Sequence, residues 1–319
     1  MGFDLIGDIH GEAPSLRALL EKLGYSETSL GYQHPDHRKV IFVGDLVDRG
    51  LWQRDVINIV RSMVEGGNAQ CVMGNHEFNA IAYGTVSING KPLREHSHKN
   101  VKQHEAFIKA YENAHDEYLE TLDWLKTLPL WIDLPNIRVI HACWDQNEVD
   151  FLLDRYGDVY LTDGLLQLAS TAGTQEHRAI ETLLKGKETA LPEGAFYHDK
   201  EGARRTVMRT RWWGDIGSYR ECYMGPEEAR GNIPDVSMPT DALVQYAADG
   251  PPVFIGHYWL GGEPAPLAHN ICCLDYSVAK PGGSLVAYRF EGEKSIRPEN
   301  FVSVPRVENK KFSSPRRKM

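Results

Sequence analysis

The chain has 319 residues, 42% of them hydrophobic and 25% charged, enough for one large α/β domain or two small ones with an ample core. A formal net charge of −9 argues against broad electrostatic binding to nucleic acid, while leaving room for a local basic pocket that takes phosphate. Five scattered cysteines (Cys71, Cys143, Cys222, Cys272, Cys273), with no CxxC pair, read as buried thiols of a reducing compartment rather than a disulfide framework. An apolar strand almost at Met1 leaves no space for a signal peptide, and no apolar run reaches the ~18 residues of a membrane span. A soluble cytoplasmic protein without a membrane partner is expected.

In chain order, three short apolar runs come first: Phe3-Asp4-Leu5-Ile6, Val40-Ile41-Phe42-Val43 and Cys71-Val72-Met73. Between them, residues 14–23 (Pro14, then leucines at 16, 19, 20 and 23) and residues 52–65 carry helical periodicity. Strand and helix therefore alternate over the first 83 residues, the pattern of a parallel sheet with helices on its faces. The longest periodic stretch is 99–126, where Val101, His104, Ile108, Tyr111, His115, Tyr118, Leu122 and Leu125 share one face of a single long helix. His104 and His115 on that face read as packed or interfacial residues rather than ligands.

Five further runs are expected to form a second layer: Leu130–Leu134, Ile137–His141, Val253–His257, Ile271–Asp275 and Ser284–Tyr288. The interval 145–250 is less regular, with helical pieces at 148–155 and 176–185, and reads as an inserted cap that shapes the substrate site. Residues 1–305 are thus one catalytic domain containing that insert. Residues 306–319, with Lys310, Lys311, Arg316, Arg317 and Lys318, form a basic tail expected to be disordered.

Each of the first three strands runs into a glycine-flanked polar block: Gly7-Asp8-Ile9-His10-Gly11, Gly44-Asp45-Leu46-Val47-Asp48-Arg49-Gly50 and Gly74-Asn75-His76-Glu77. Strand ends of an α/β sheet converge on one crevice. Two Asp, two His and one Asn gathered there suit one or two divalent cations, and the glycines allow tight turns and close approach.

In that order and spacing the blocks resemble the calcineurin-like metallophosphoesterase superfamily, most closely its bacterial phosphoprotein-phosphatase-like branch. The resemblance covers roughly residues 1–145 and 253–290. It implies a four-layer α/β/β/α sandwich and a two-metal centre. Asp45 would bridge the ions, Asp8 and His10 would complete the first site, and Asn75, His141 and His257 the second. Mixed carboxylate, imidazole and amide ligands favour Mn²⁺, with Fe or Zn²⁺ behind it. A hydroxide shared by the ions would attack phosphorus in line. His76 would protonate the leaving oxygen, Asp48 would hold that imidazole, and Arg49 would grip two phosphate oxygens as a planar fork. Arg209 and Arg211, before Trp212-Trp213, are two candidates for a second phosphate-binding arginine. Glu77 is either an acceptor that orients a ligand or the first-turn acid of a helix. Tyr258 and Tyr276 read as packed.

The expected activity is a phosphatase acting on phosphomonoesters, with a phosphoprotein or a small phosphometabolite as partner. Asp48 and Glu77 favour it, because bacterial symmetrical diadenosine tetraphosphatases usually carry Ala and Asp at those places. A dinucleoside polyphosphate hydrolase is the alternative, with Trp144, Trp212 and Trp213 as residues to stack on a base. An inactive metal-binding regulatory module is the remote third reading, disfavoured because no motif ligand is missing.

Overall fold

A computed structural model of the chain describes residues 2–29, 31–87, 89–199, 202–214 and 217–307. Strand β1 (Phe3–Ile6) leads into helix α1 (Ala13–Leu23), which carries a proline in its first turn and ends on Gly24 in the left-handed conformation. Strand β2 (Lys39–Phe42), helix α2 (Gln53–Glu65) and strand β3 (Ala69–Cys71) repeat the unit, and helix α3 (Asn75–Gly84) follows directly. β1, β2 and β3 are parallel neighbours, with Phe3 opposite Lys39 and Val40 opposite Ala69.

The long helix expected over 99–126 is two helices, α4 (His98–Ala110) and α5 (His115–Lys126). α4 packs on α2 whereas α5 packs on α3. A straight rod cannot serve both partners, so the chain turns between them at Tyr111–Ala114. Tyr111 packs between Phe107 and Tyr118, and Thr121 donates to its hydroxyl. The apolar spacing survives the turn, which is why periodicity alone reads through it.

Strands β4 (Trp131–Leu134) and β5 (Ile137–Ile140) form a hairpin. Helices α6 (Gln146–Tyr156), α7 (Asp163–Ala169) and α8 (Gln175–Lys185) come next. Strands β6 (Val253–Ile255) and β7 (Ile271–Cys273) complete the second sheet in the order β7-β6-β5-β4. The chain then crosses back. Strands β8 (Asp275–Tyr276), β9 (Ser284–Phe290) and β10 (Phe301–Pro305) extend the first sheet, β9 lying antiparallel to β1 with Phe290 opposite Phe3. Ser284–Tyr288 therefore belongs to the first layer, not the second. A buried β-run reads the same in either sheet, and the antiparallel pairing with β1 is what places β9 in the first.

The two sheets face each other through one apolar layer. Leu5, Ile41, Val43 and Val72 meet Ile137, Val139, Phe254 and Cys272 there. The alternate residues Ile6, Val40 and Phe42 face the helices instead. Strands buried on both faces are continuous apolar runs for this reason. The layers are those of an α/β/β/α sandwich. Over residues 145–250, α6, α7 and α8 join the main core, whereas Leu191, Met208, Tyr223, Ile233 and Leu243 belong to a separate small cluster. At the C-terminus, Arg306 pairs with buried Glu12, and the Val307 N–H donates to Ser15 Oγ. The first two residues assigned to a disordered tail are thus tied down. Residues 308–319, and Asp215 beside the tryptophan pair, lie outside the described residues. All five cysteines are buried and unpaired.

Candidate metal centre

The ends of β1, β2, β3, β5 and β6 deliver Asp8, His10, Asp45, Asn75, His141 and His257 to one buried cluster. Two sets of ligand atoms lie within 4.8 Å of one another: His10, Asp45 and His76, and Asp45, His141 and His257. Asp45 is common to both. Its Oδ2 stands 3.6 Å from His10 Nε2 and 3.8 Å from His76 Nε2, and its Oδ1 stands 3.3 Å from His141 Nε2. Asn75 Oδ1 is 3.2 Å from His141 Nε2 and 2.7 Å from His257 Nδ1. Asp8 is a member of neither set. Its Oδ2 accepts the backbone N–H of His257, and its Oδ1 is buried without a partner among the described residues.

The loops that carry these groups are strained. His10, Asp45, Asp48, Arg49, His257 and Trp259 all have positive φ, between 47° and 74°. Each such non-glycine residue costs about 1–2 kcal/mol relative to ordinary backbone. Two glycines serve close approach instead. A Cβ on Gly256 would fall on Asp8 Oδ1, and one on Gly74 would fall on the Asp45 backbone nitrogen.

Three observations test whether divalent cations fit. Nδ1–H of His10 donates to Val47 O at 2.9 Å, and Nδ1–H of His141 donates to Val43 O at 2.8 Å. The first bond sets the His10 tautomer and leaves its Nε2 lone pair facing Asp45 Oδ2, an acceptor against an acceptor. His141 Nε2 instead faces Asp45 and Asn75 oxygens, and against burial its pKa is raised by Asp45. Second, Asp8 Oδ1, His10 Nε2 and His257 Nε2 are buried without hydrogen-bond partners among the described residues. Third, burial, then the neighbouring Asp275 and Asp45 carboxylates, hold Asp8 well above the usual carboxylate range. Burial likewise lowers His10 to about 3, with His76 adding to the effect. Cations at this place would satisfy every one of these groups, so the residues fit the two-metal expectation.

Around the cluster lies a second ring. Glu77 is fully buried and both sequence readings of it hold. Its carboxylate accepts the N–H of Gly74 at 2.9 Å, capping α3, and the N–H groups of Asp45, Leu46 and Val47 at 2.7, 2.8 and 3.2 Å. Asp48 sits between two imidazoles, 2.5 Å from His76 Nδ1 and 2.6 Å from His104 Nδ1. Burial works against the Asp48 anion, but the hydrogen bonds from His104 and His76 outweigh it and lower its pKa. His76 is raised, because Asp45 and Asp48 overcome its burial.

His104 is therefore not merely packed; it holds the far oxygen of Asp48. Its sequence signal was a histidine on the apolar stripe of α4, and that stripe does not say which partner it meets. Trp259 was missed as well. It is half-buried, stacks on His10 at 5.4 Å, and has the Arg49 guanidinium 3.8 Å and Lys280 Nζ 3.9 Å from its ring centroid. Its backbone N–H donates to buried Asp275.

The other tryptophans are packed. Trp144 is fully buried, so it has no face to offer a base, and Trp212 and Trp213 are nearly so. Trp212 Nε1 donates to Ala142 O and Tyr258 Oη. Tyr258 donates to Ala142 O, and Tyr276 Oη accepts from Ala265 N, so both tyrosines are packed as expected. Of the two arginines, it is Arg209 that acts electrostatically on His257, lowering its pKa alongside burial. Both have a buried Nε without a partner among the described residues.

The family profile described as calcineurin-like phosphoesterase matches residues 1–257. The chain belongs to that family. Its members work with two metal ions, and the resemblance read from the three motifs is borne out at this level. Among curated relatives, the asymmetrical bis(5'-nucleosyl)-tetraphosphatase PrpE of Halalkalibacterium halodurans is 49% identical over 76 residues, which is 24% of this chain and 31% of that protein. PrpE of Oceanobacillus iheyensis is 32% identical over 154 residues, 44% of this chain and 55% of that protein. The chain thus spans about half or less of the length of these relatives. A protein serine/threonine phosphatase from Saccharomyces cerevisiae superposes with a TM-score of 0.53 at 14% identity, covering 97% of this chain and 81% of that one, which is a likeness of fold. Among the described residues no helix is long and apolar enough to cross a membrane.

Proposed function

We propose that the protein is a two-metal phosphoric ester hydrolase whose substrate is a bis(5'-nucleosyl) tetraphosphate, cleaved asymmetrically. The observation that carries the chemistry is the Asp45-centred cluster, with three imidazole nitrogens set around one carboxylate. The substrate class rests on the relatives, which are named for it. Phosphomonoester hydrolysis, the expectation from Asp48 and Glu77, becomes the second reading. Those two residues distinguish the chain from the symmetrical tetraphosphatases only, and the matched relatives carry the asymmetrical name. A specific observation keeps the second reading in play. The His76–Asp48 pair is fully formed, and a proton donor matters most for a poor leaving group such as an alkoxide.

Asp8, His10, Asp45, Asn75, His141 and His257 would hold the ions, Mn²⁺ being the first choice for this ligand set. Bound there, the ions would neutralise phosphate charge and make a water molecule acidic. The chain does the rest. Arg49, exposed at the mouth, binds phosphate oxygens and is braced by the Trp259 ring. Arg209 is the better of the two candidates for a second phosphate contact. His76 donates its Nε2 proton to the leaving oxygen while Asp48 accepts from Nδ1. His104 fixes the other Asp48 oxygen, so the carboxylate cannot rotate away. The catalytic domain of residues 1–305, with the insert over 145–250 shaping access, remains the proposed organisation.

The test is turnover of the manganese-loaded enzyme on p-nitrophenyl phosphate, bis-p-nitrophenyl phosphate, a phosphopeptide and diadenosine tetraphosphate. Diadenosine tetraphosphate should have the highest kcat/KM. A phosphopeptide turned over faster, with the dinucleotide inert, would hand the site to the monoester reading. Asp45→Asn should remove most activity on every substrate, and wild-type turnover in that variant would end the two-metal interpretation.

A further inference from the structure

A cavity of about 640 Å³ opens beside the centre, lined by Arg49, His98, Lys99, Lys102, Gln103, Glu105 and Ala106. Arg49 belongs to both. The lining sets three cations (Arg49, Lys99, Lys102) against one anion, Glu105, in a chain whose formal charge is −9. Behind Gln103 stands half-buried Arg94. Its guanidinium donates to Asn79 Oδ1 at 2.8 Å, Asn100 Oδ1 at 3.0 Å and Gln103 Oε1 at 3.1 Å. These acceptors are neutral amide oxygens, and the carboxylates that act on Arg94 electrostatically are Asp48 and Glu181.

The helix that lines the cavity also supports the proton donor. The proton donor His76 leads through Asp48 to His104, and His104 sits on α4. The same helix supplies His98, Lys99, Lys102 and Gln103 to the lining. His76 thus turns its Nδ1 edge toward α4 and its proton-donating Nε2 toward the metal cluster, to which the cavity is joined through Arg49.

We infer that this cavity is the subsite for the leaving oligophosphate, holding the triphosphate of the departing nucleotide while its partner leaves as a monophosphate. The inference rests on the tetraphosphate reading given above. In the step it describes, a water oxygen bonds to the phosphorus adjoining one nucleoside. The bond from that phosphorus to the bridging oxygen breaks, and its electron pair stays on the bridging oxygen. That oxygen becomes the terminal oxygen of the triphosphate, receiving the His76 proton, and the water's proton goes to solvent. Three phosphates carry more charge than one, so lysines in an open cavity discriminate between a triphosphate and a monophosphate.

The experiment uses ATP and inorganic phosphate as inhibitors of p-nitrophenyl phosphate hydrolysis by the manganese-loaded full chain, at saturating metal. In Lys99→Ala/Lys102→Ala the ratio of the ATP to the phosphate inhibition constant should rise about tenfold, the loss of two charge-assisted contacts. Lys99→Arg/Lys102→Arg should restore it. An unchanged ratio overturns the subsite. A second readout is hydrolysis of diadenosine tetraphosphate in isotopically labelled water. The label should appear in the monophosphate; label in the triphosphate overturns the assignment of the cavity to the leaving side. If wild type leaves the dinucleotide intact while the ATP ratio still shifts in the double variant, the tetraphosphate reading fails and the oligophosphate subsite stands.

Discussion

Replacing Glu77 by Gln tests whether the Asp45 loop is held by this one carboxylate. In wild type, Oε1 accepts from Leu46 and Val47, and Oε2 accepts from Asp45 and Gly74. The substitution keeps one oxygen and turns the other into an NH₂ group, which must point at two backbone donors. Whichever way the amide flips, two N–H groups lose their acceptor in a site that is fully buried. At roughly 1–3 kcal/mol for each unsatisfied buried donor, the expected loss is about 2–6 kcal/mol. The loss falls on Asp45, whose φ of 53° is the strained conformation that Glu77 helps to maintain. Urea unfolding of the metal-free protein measures it, read as a lower midpoint at unchanged slope. Calorimetric titration with Mn²⁺ should show weaker binding as well, because the Asp45 carboxylate is no longer presented at a set angle. A variant that unfolds within about 1 kcal/mol of wild type and binds Mn²⁺ equally well would refute the clamp.

His104→Phe keeps the ring against Phe107 and Tyr83 but removes the donor to Asp48. Turnover on a phosphopeptide should fall about tenfold, with an altered pH profile, and His104→Asn, whose Nδ2 stands in for Nδ1, should recover part of it. Identical profiles in all three proteins would reduce His104 to packing. Asp48 also predicts an acid response. Its folded pKa lies below the ordinary 3.8, so as pH falls the unfolded chain takes up the proton first. The stability advantage of wild type over Asp48→Asn should therefore be complete above about pH 4 and shrink below it. Acid titrations of the two metal-free proteins that stay parallel through that range would contradict the hydrogen bonds from His76 and His104.

What the sequence by itself determined is the outline of the His/Asp cluster at the strand ends. A short apolar run ending in a glycine-flanked polar block specifies a buried strand, a tight turn and a ligand at the strand end, and three such blocks specify one crevice. Those are local properties, carried by neighbouring residues. Which sheet Ser284–Phe290 joins, where the 99–126 periodicity breaks, and which tryptophan stays half-exposed were decided by packing between segments distant in the chain. The same is true of His104, which meets Asp48 56 positions away, and of Glu77, whose acceptor role toward Asp45 spans 32. A side chain's type and period tell how it is buried. Its hydrogen-bond partner across the core is set only when α3 and α4 close over the strand ends and every buried donor and acceptor must be matched.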